Sequence, residues 1–360
     1  MNSTGIFHPR ISLIRWAVCL LGWVTWLSPV RSQDAYPILV YVAPSTEEKP
    51  VLDGELNDAV WSVAPPTSGF SLFGKSEPYG VQSSFRILYD AEFLYIGLHF
   101  DEPHVTRMIP FYYARDDHSV FSSDAFEIFI DPDHSHERYF QFAGNVANSL
   151  YDGERENPAW NSSSIVRGFM GRDFWSVEIA IPWKDLGVTP TPGKVIGLNV
   201  CRNRVEGDGK VYLNWSRVET GFHDPARFGH LVLSGAPEIL NTLSDEFRKG
   251  SRNGPLLFQG IAGRTEDDYR ALAAADLARF REELDAFAGS VSSSPQPEVK
   301  RLLSGKLDTY RNEMAEWEVG ASDCRDNEKY VKLTLRMQAL RNQMKAALAE
   351  TRLSVLLDEI

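Results

Sequence analysis

The sequence has few cysteines, three in 360 residues, and they do not form a cluster with the spacing of a zinc site. It also contains no EF-hand loop, phosphate-binding loop, nucleophile elbow or metalloprotease motif. The chemistry that depends on those motifs is therefore not indicated. Cys201 and Cys324 fall in different predicted domains, so their spacing neither requires nor excludes a disulfide.

The chain also lacks an excess of positive charge. Its formal net charge is −12, which divides into +3 over residues 1–32, −12 over residues 33–237 and −3 over residues 238–360. Phosphate binding needs a basic surface, so we do not expect nucleic acid as a partner. Apolar residues are plentiful, because 43% of the chain is hydrophobic, which is enough for the cores of about two domains.

The apolar run near the N-terminus, residues 16–27, is too short to span a bilayer comfortably. Arg10 and Arg15 precede it, and Val30 and Ser32 offer small residues at a cleavage site before Gln33. This arrangement predicts an export signal over residues 1–32 and a secreted or cell-envelope location. An uncleaved membrane anchor is the alternative.

The segment before Pro237 is rich in short β-type runs separated by Gly, Pro and Asp turns. In the clearest of them, Phe126, Ile128 and Ile130 recur at the period of two that is typical of a strand. Similar runs lie at 85–89, 93–100, 138–143, 174–181, 195–202, 211–216 and 228–233. With hardly a helical pattern between them, these runs predict a mainly antiparallel β-sandwich over residues 33–237.

A carboxylate, Glu127, lies on the face of this strand that points away from Phe126 and Ile128. The loop before the strand holds an aromatic residue, Phe121. A carboxylate beside an aromatic ring can bind a polar ligand that also has an apolar face. The other interpretation is a cross-strand salt bridge beside a core phenylalanine.

The pattern changes after Pro237 to apolar residues at helical spacing. Thr265–Asp268 resembles a capping box, and a helical pattern follows it as far as Gly289. Two further helices are predicted at about residues 298–317 and 327–357. We expect residues 238–360 to form a helical hairpin or three-helix module that can contact a protein or envelope partner.

Five short motifs follow one another in the β-rich part of the chain. They are the segment Leu52–Trp61, the hairpin with Tyr89-Asp90 and Leu94–Ile96, the strand Asp124–Asp131, the run Trp175–Trp183, and Asp224-Pro225 before Phe228-Gly229. In this order they resemble family 9 carbohydrate-binding modules, within the wider DOMON-like sandwiches. The resemblance covers residues 50–233 and implies a non-catalytic protein that binds carbohydrate, as an accessory to polysaccharide breakdown.

The resemblance also implies a site in which two aromatic rings hold a sugar end. The ring positions fall on Phe121 and Phe222, and the carboxylate falls on Glu127. In the family, polar side chains from neighbouring strands hydrogen-bond the hydroxyl groups of the sugar, and the resemblance assigns this role to Gln141 and Glu219. The sequence departs from the well-studied sugar binders, which have Arg and Asn at these two positions and Trp at both ring positions. Weaker binding, a different glycan and loss of binding all stay open for this reason.

One tryptophan, Trp160, lies in a predicted loop and is an alternative platform for the ligand. Four others fall within apolar patterns and are expected in the core: Trp61, Trp175, Trp183 and Trp215. A tryptophan ring on a loop can contact a ligand, whereas a ring within an apolar strand pattern is expected to pack in the hydrophobic core.

Two cofactors can be considered. Structural calcium is implied by the resemblance, and Asp131 and Asp133 are its candidate ligands, with a solvated turn as the alternative. Haem would suit a DOMON-like electron-transfer domain and would need an axial ligand, for which Met108 and His104 are the candidates.

Catalysis would need a pair of carboxylates at a defined separation. Asp116, Asp117, Asp124 and Glu127 are close enough in sequence to supply a pair for glycoside cleavage, but sequence does not fix their separation. The remaining alternative is a structural envelope protein whose sandwich has lost its ligand and whose helices make the contacts.

Overall fold

The computed structural model describes residues 37–67, 69–234, 254–260, 263–267, 269–325 and 327–358, and the predicted export signal lies outside them. The described residues form the following strands: β1 Ile38–Ala43, β2 Ser71–Leu72, β3 Ser83–Tyr89, β4 Phe93–Asp101, β5 Ala125–Asp131, β6 Phe140–Gly144, β7 Leu150–Glu154, β8 Ile165–Met170, β9 Phe174–Pro182, β10 Val195–Glu206, β11 Gly209–Asn214, β12 Gly229–Leu233, β13 Leu256–Gly260 and β14 Gly263–Asp267. The α-helices are α1 Trp183–Leu186, α2 Arg270–Ser292, α3 Pro297–Ser322 and α4 Asn327–Asp358.

Two sheets pack face to face. The larger has the strand order β14-β13-β1-β12-β10-β5-β6-β7, with β11 paired to β10 and β2 paired to β11. The smaller has the order β3-β4-β9-β8. Most neighbours are antiparallel, while β1 runs parallel to both β12 and β13. The structure therefore confirms the predicted mainly antiparallel β-sandwich followed by helices.

The core between the sheets follows from the alternation of the strands. Phe126, Ile128 and Ile130 of β5 are fully buried there, together with Phe140 and Phe142 of β6. The four tryptophans predicted for the core are all buried, at Trp61, Trp175, Trp183 and Trp215. The residues between these on β5 and β6 must point the opposite way, onto what we call the outer face of the larger sheet.

The larger sheet continues beyond residue 237, because β13 and β14 add two strands beside β1. The predicted capping box at Thr265–Asp268 is therefore wrong, since residues 265–267 belong to β14 and pair with β13. Helix α2 begins at Arg270 instead. Sequence alone shows which side chains can cap a helix, but pairing with a distant strand decides their conformation. The domain boundary at 237 stays a prediction.

Helices α2, α3 and α4 cover part of the outer face. Ile38 and Val40 of β1, Val195 of β10 and Val232 of β12 are buried in one cluster with apolar residues of the helices. The helical partners include Leu272, Phe280, Trp317 and Met337. Among the described residues, no helix combines the length and the apolar composition needed to cross a membrane.

Candidate functional site

Three polar side chains form a buried cluster on the outer face where β6, β5 and β10 lie side by side. The Glu127 carboxylate accepts hydrogen bonds from Gln141 Nε2 at 2.7 Å and from Asn203 Nδ2 at 2.8 Å. Pairing of β5 with β6 and β10 brings the three together. The partners of Glu127 are thus side-chain amides rather than the cation of a cross-strand salt bridge. We call this cluster the polar floor.

Burial changes the acidity of the floor. Glu127 is only 5% exposed, and this burial raises its pKa from the ordinary 4.5 to about 7. The hydrogen bonds from Asn203 and Gln141 act in the opposite direction, because they stabilise the ionised carboxylate. Glu127 therefore changes its charge near neutral pH, unlike a carboxylate at the surface.

Aromatic rings stand on two sides of the polar floor. On one side Phe121 is half-buried and contacts Tyr151 edge to face, with 5.0 Å between ring centroids. On the other side Phe222 contacts Phe73 at 5.9 Å and Tyr212 at 6.1 Å. The short 3-10 helix His118–Ser122 presents Phe121, and its first turn is capped by the Asp117 side chain, which accepts a hydrogen bond from the Ser119 N–H.

The floor and the two aromatic walls enclose a cavity of about 720 Å³, which we call the Glu127 cavity. Charged and imidazole side chains also line it, at His118, Glu156, Lys210 and His223. Lys210 Nζ donates a hydrogen bond to the carbonyl oxygen of Phe121 at 2.8 Å, which links the start of β11 to the Phe121 wall. The volume suits a small organic ligand.

The structure brings together four of the six side chains proposed for ligand binding from the sequence. Phe121, Glu127, Gln141 and Phe222 all line the Glu127 cavity. The other two, Trp160 and Glu219, do not line it. Both side chains make contacts with residues outside the cavity.

Trp160 packs against the core ring of Phe140, with 4.4 Å between centroids, so the predicted loop tryptophan is a core contact and does not line the cavity. Glu219 is exposed and pairs with Arg227 at 3.2 Å and with Arg217 at 3.7 Å. Neither side chain lines the Glu127 cavity, so a role for either in ligand binding stays a prediction.

The turn that carries the calcium candidates uses its carboxylates for hydrogen bonding and ion pairing. Asp131 accepts from the backbone N–H groups of Ser135 at 3.0 Å and His136 at 2.7 Å. Asp133 lies 3.6 Å from the Arg138 guanidinium. In the part of the chain that the structure describes, no group of three or more acidic, histidine or cysteine side chains has the geometry to hold a metal ion. Structural calcium at Asp131 and Asp133 stays a prediction, and both carboxylates already make these contacts within the protein.

The carboxylates considered for glycoside cleavage are hydrogen-bond acceptors within the fold. Asp116 accepts from the Asp152 N–H at 3.3 Å, and Asp124 accepts from the Val205 N–H at 3.0 Å. Neither lines the Glu127 cavity, and neither does the helix-capping Asp117.

The two haem-ligand candidates also lie outside the Glu127 cavity. His104 is exposed beside a short 3-10 helix, and Met108 packs against the core between the sheets.

Sequence reasoning missed several residues that line the cavity, above all Tyr151 and Asn203. A signal existed for Asn203, because it lies two residues after Cys201 on β10 and so shares its outward direction. No comparable signal marked Tyr151, since β7 has little apolar alternation and is defined by its pairing with β6.

Comparison with known families settles the kind of domain that carries this cavity. The profile described as "Carbohydrate family 9 binding domain-like" matches residues 52–236, just over half of the 360 residues. The chain belongs to this family. The match includes all the strands from β2 to β12 and every residue that lines the Glu127 cavity. A search of curated proteins finds no match.

Similar solved structures include a carbohydrate-binding module of family 9 from Caldicellulosiruptor kristjanssonii in complex with cellotriose. It is 18% identical, with a TM-score of 0.41 over 56% of this chain and 95% of that one. The same organism's module in complex with glucose is 18% identical, with a TM-score of 0.42 over 56% of this chain and 97% of that one.

Proposed function

We propose that the chain binds carbohydrate, holding a sugar end in the Glu127 cavity between the rings of Phe121 and Phe222. The observation that carries this proposal is the combination of two aromatic walls with a floor of three hydrogen-bonded polar side chains. A sugar ring has C–H groups on its faces and hydroxyl groups around its edge. The walls suit the faces, and the floor suits the edge.

Membership of the family supports this function, and the relatives from Caldicellulosiruptor kristjanssonii are described with bound cellotriose and glucose. The amides and carboxylate of the floor can exchange part of their mutual hydrogen bonding for bonds to hydroxyl groups. A charged carboxylate makes the stronger of these bonds. The proposed role is binding without cleavage. The carboxylates that could pair with Glu127 in catalysis, Asp116 and Asp124, accept hydrogen bonds outside the cavity.

The test begins with a glycan array on the mature chain, followed by calorimetry with the best-bound sugar. Truncating either ring, Phe121→Ala or Phe222→Ala, should weaken binding by about 2 kcal/mol or more, as at other central contacts. Glu127→Gln should cost less, because an amide keeps part of the hydrogen bonding. Phe169→Ala is the matched control, since Phe169 is half-buried on β8 of the smaller sheet, outside the cavity.

Circular dichroism must show that each variant is folded. The proposal is wrong if folded Phe121→Ala and Phe222→Ala proteins bind as tightly as the wild type. It is also wrong if Phe169→Ala weakens binding as much as they do, because the effect would then not be local to the cavity.

We also propose that the protein is exported, on the basis of the signal-like residues 1–32. An exported sugar-binding protein would meet polysaccharide outside the cytoplasm, as an accessory to its breakdown. N-terminal sequencing of the native protein should find Gln33 at or near the start. Recovery of residues 1–32 in membrane fractions would instead show an uncleaved anchor.

A further inference from the structure

A run of exposed apolar side chains lies in the loop between β4 and β5. Ile109 is 83% exposed, Phe111 58% and Tyr112 63%. The other large apolar side chains that are exposed in the described residues stand singly along the sequence. Single exposed apolar residues are ordinary, but adjacent ones on a folded surface indicate an interaction site. We call residues 108–114 the aromatic loop.

Buried polar groups hold the aromatic loop in place. Asn145, only 2% exposed, donates from Nδ2 to the carbonyl oxygen of Phe111 at 2.9 Å. Ser149, only 1% exposed, accepts at Oγ from the Tyr113 N–H at 2.9 Å. The exposed rings are therefore presented on a fixed backbone, which lowers the entropy that a ligand must overcome.

The loop continues the Phe121 wall of the Glu127 cavity. Tyr113 and Phe121 pack against the same buried cluster, formed by Val120, Ala143 and Tyr151. The Phe111 ring follows Tyr113 at a centroid separation of 5.0 Å. The Phe111 and Tyr113 rings of the exposed loop are thus connected to the wall of the cavity through this shared cluster.

The direction of this extension follows β6. Gln141 lies in the polar floor, Ala143 lies in the cluster under Tyr113, and Asn145 holds the loop at Phe111. Gln141 and Ala143 alternate along the outer face of β6, and Asn145 follows just beyond its end at Gly144; four extended residues span about 13 Å. The loop backbone at Phe111 is therefore held farther along the sheet from the floor than a single sugar unit would reach.

The composition of the loop indicates the chemistry of its ligand. Residues 108–114 contain no charged side chain. The cation that follows, Arg115, is committed to the buried Asp152 carboxylate at 2.5 Å. An uncharged partner with apolar faces fits this surface better than an anion, and continuity with the cavity favours more units of the same ligand.

We propose that Phe111 and Tyr112 form an outer subsite that binds further sugar units of a neutral oligosaccharide whose end occupies the Glu127 cavity. This inference rests on the proposed carbohydrate binding. It predicts an effect that the cavity alone would not produce. The affinity for an oligosaccharide should rise with the number of its sugar units, and this increase should depend on the aromatic loop.

The test is calorimetry with the full mature chain and glucose, cellotriose and cellohexaose, together with the matching xylose, mannose and N-acetylglucosamine series. For the series that binds, the hexasaccharide should bind about tenfold or more tightly than the monosaccharide. The double variant Phe111→Ser/Tyr112→Ser should lose this gain and leave monosaccharide affinity unchanged. Ile109→Ser, which removes an exposed aliphatic side chain from the same loop, should behave as the wild type.

The outcomes separate this inference from the proposal on which it rests. If a monosaccharide binds and Phe121→Ala weakens it, but chain length has no effect, the outer subsite is wrong and the cavity stands. If the double variant keeps the gain, or Ile109→Ser loses it, the rings are not the contact. A change in oligomeric state in the double variant with unchanged oligosaccharide affinity would assign the loop to protein association. If none of these sugars binds, carbohydrate binding by the cavity fails, and the outer subsite fails with it.

Discussion

At the scale of single residues, Glu127 couples the stability of the fold to pH. Its pKa is about 7 in the folded protein, because burial disfavours the charge, whereas the ordinary value is 4.5. Between these values the folded state binds a proton that the unfolded state has released. Stability from this group is thus fully present below pH 4.5 and is lost as the pH rises through 7.

We expect the wild type to lose on the order of 3 kcal/mol of unfolding free energy relative to Glu127→Gln between about pH 4.5 and 8, from 1.36 kcal/mol per pKa unit. Urea unfolding of both proteins at several pH values measures this difference. Glu219→Gln is the control, because its exposed carboxylate only makes surface ion pairs and should show a much smaller change. A difference between wild type and Glu127→Gln that does not vary with pH would contradict the prediction.

At the scale of elements, the segment between β1 and β2 that contains Asp53 and Trp61 is attached to the smaller sheet by one carboxylate. Buried Glu178 of β9 accepts from the N–H groups of Asp53 and Gly54 and from Trp61 Nε1, each at 2.9 Å. Gly54 has a positive φ of 95°, and a Cβ there would lie 2.5 Å from the carbonyl carbon of Gly168 on β8. The segment can approach the sheet this closely only with glycine at that position.

Gly54→Ala should therefore lower the unfolding free energy by about 3 kcal/mol, through both backbone strain and overpacking. Gly69→Ala is a matched control, since Gly69 has a similar φ of 91° but no atom lies within 4 Å of the position that a Cβ would take there. It should cost about 1 kcal/mol, from the backbone alone. Thermal or chemical unfolding distinguishes the two. Equal losses would show that contact with β8 contributes nothing.

The elements also show how far sequence reasoning reaches. Strands with apolar alternation, such as β4 and β5, were predicted within about one residue of their ends, because burial imposes the pattern directly. The sequence pattern does not predict a polar strand such as β14, because residues Gly263–Asp267 become a strand only by pairing with β13. The residues of β14 alone do not indicate which strand they pair with.

The same limit applies to the candidate site. Phe121, Phe222 and Glu127 were predicted through resemblance and a period-two pattern, and they do line one cavity. Tyr151 completes the cavity through the pairing of β7 with β6, which sequence does not display. Asn203 joins it on β10, where its spacing from Cys201 is the only sequence signal. Trp160 does lie outside the strands, as predicted, but a loop position does not reveal that its ring packs on Phe140.

At the scale of the whole molecule, the outer face of the larger sheet packs against the helices in one part and forms the Glu127 cavity in another. Helices α2, α3 and α4 cover its β1 and β12 part, where Ile38, Val40 and Val232 are buried. The Glu127 cavity opens on its β5 and β6 part. Strand β10 lies between, contributing Val195 to the helical cluster and Asn203 to the floor. The helices can therefore affect the stability of the sandwich without touching the ligand.

The last prediction concerns removal of residues 238–360. The shortened chain, residues 33–237, would expose Ile38, Val40 and Val232 and would turn β1 into an edge strand. Burying each such side chain stabilises a protein by about 1.5–3 kcal/mol, so we expect a lower unfolding temperature, binding of a hydrophobic dye and self-association. Sugar affinity should persist, because all the residues that line the cavity remain.

Calorimetric melting, dye fluorescence and light scattering measure these effects on the shortened and full chains. Val40→Thr and Val232→Thr in the shortened chain are matched changes, which should reduce dye binding and association because they make the uncovered face more polar. A shortened chain that melts at the temperature of the full chain and binds no dye would show that the helices do not stabilise the sandwich. Loss of sugar binding by a folded shortened chain would show instead that the helical cluster shapes the cavity through β10.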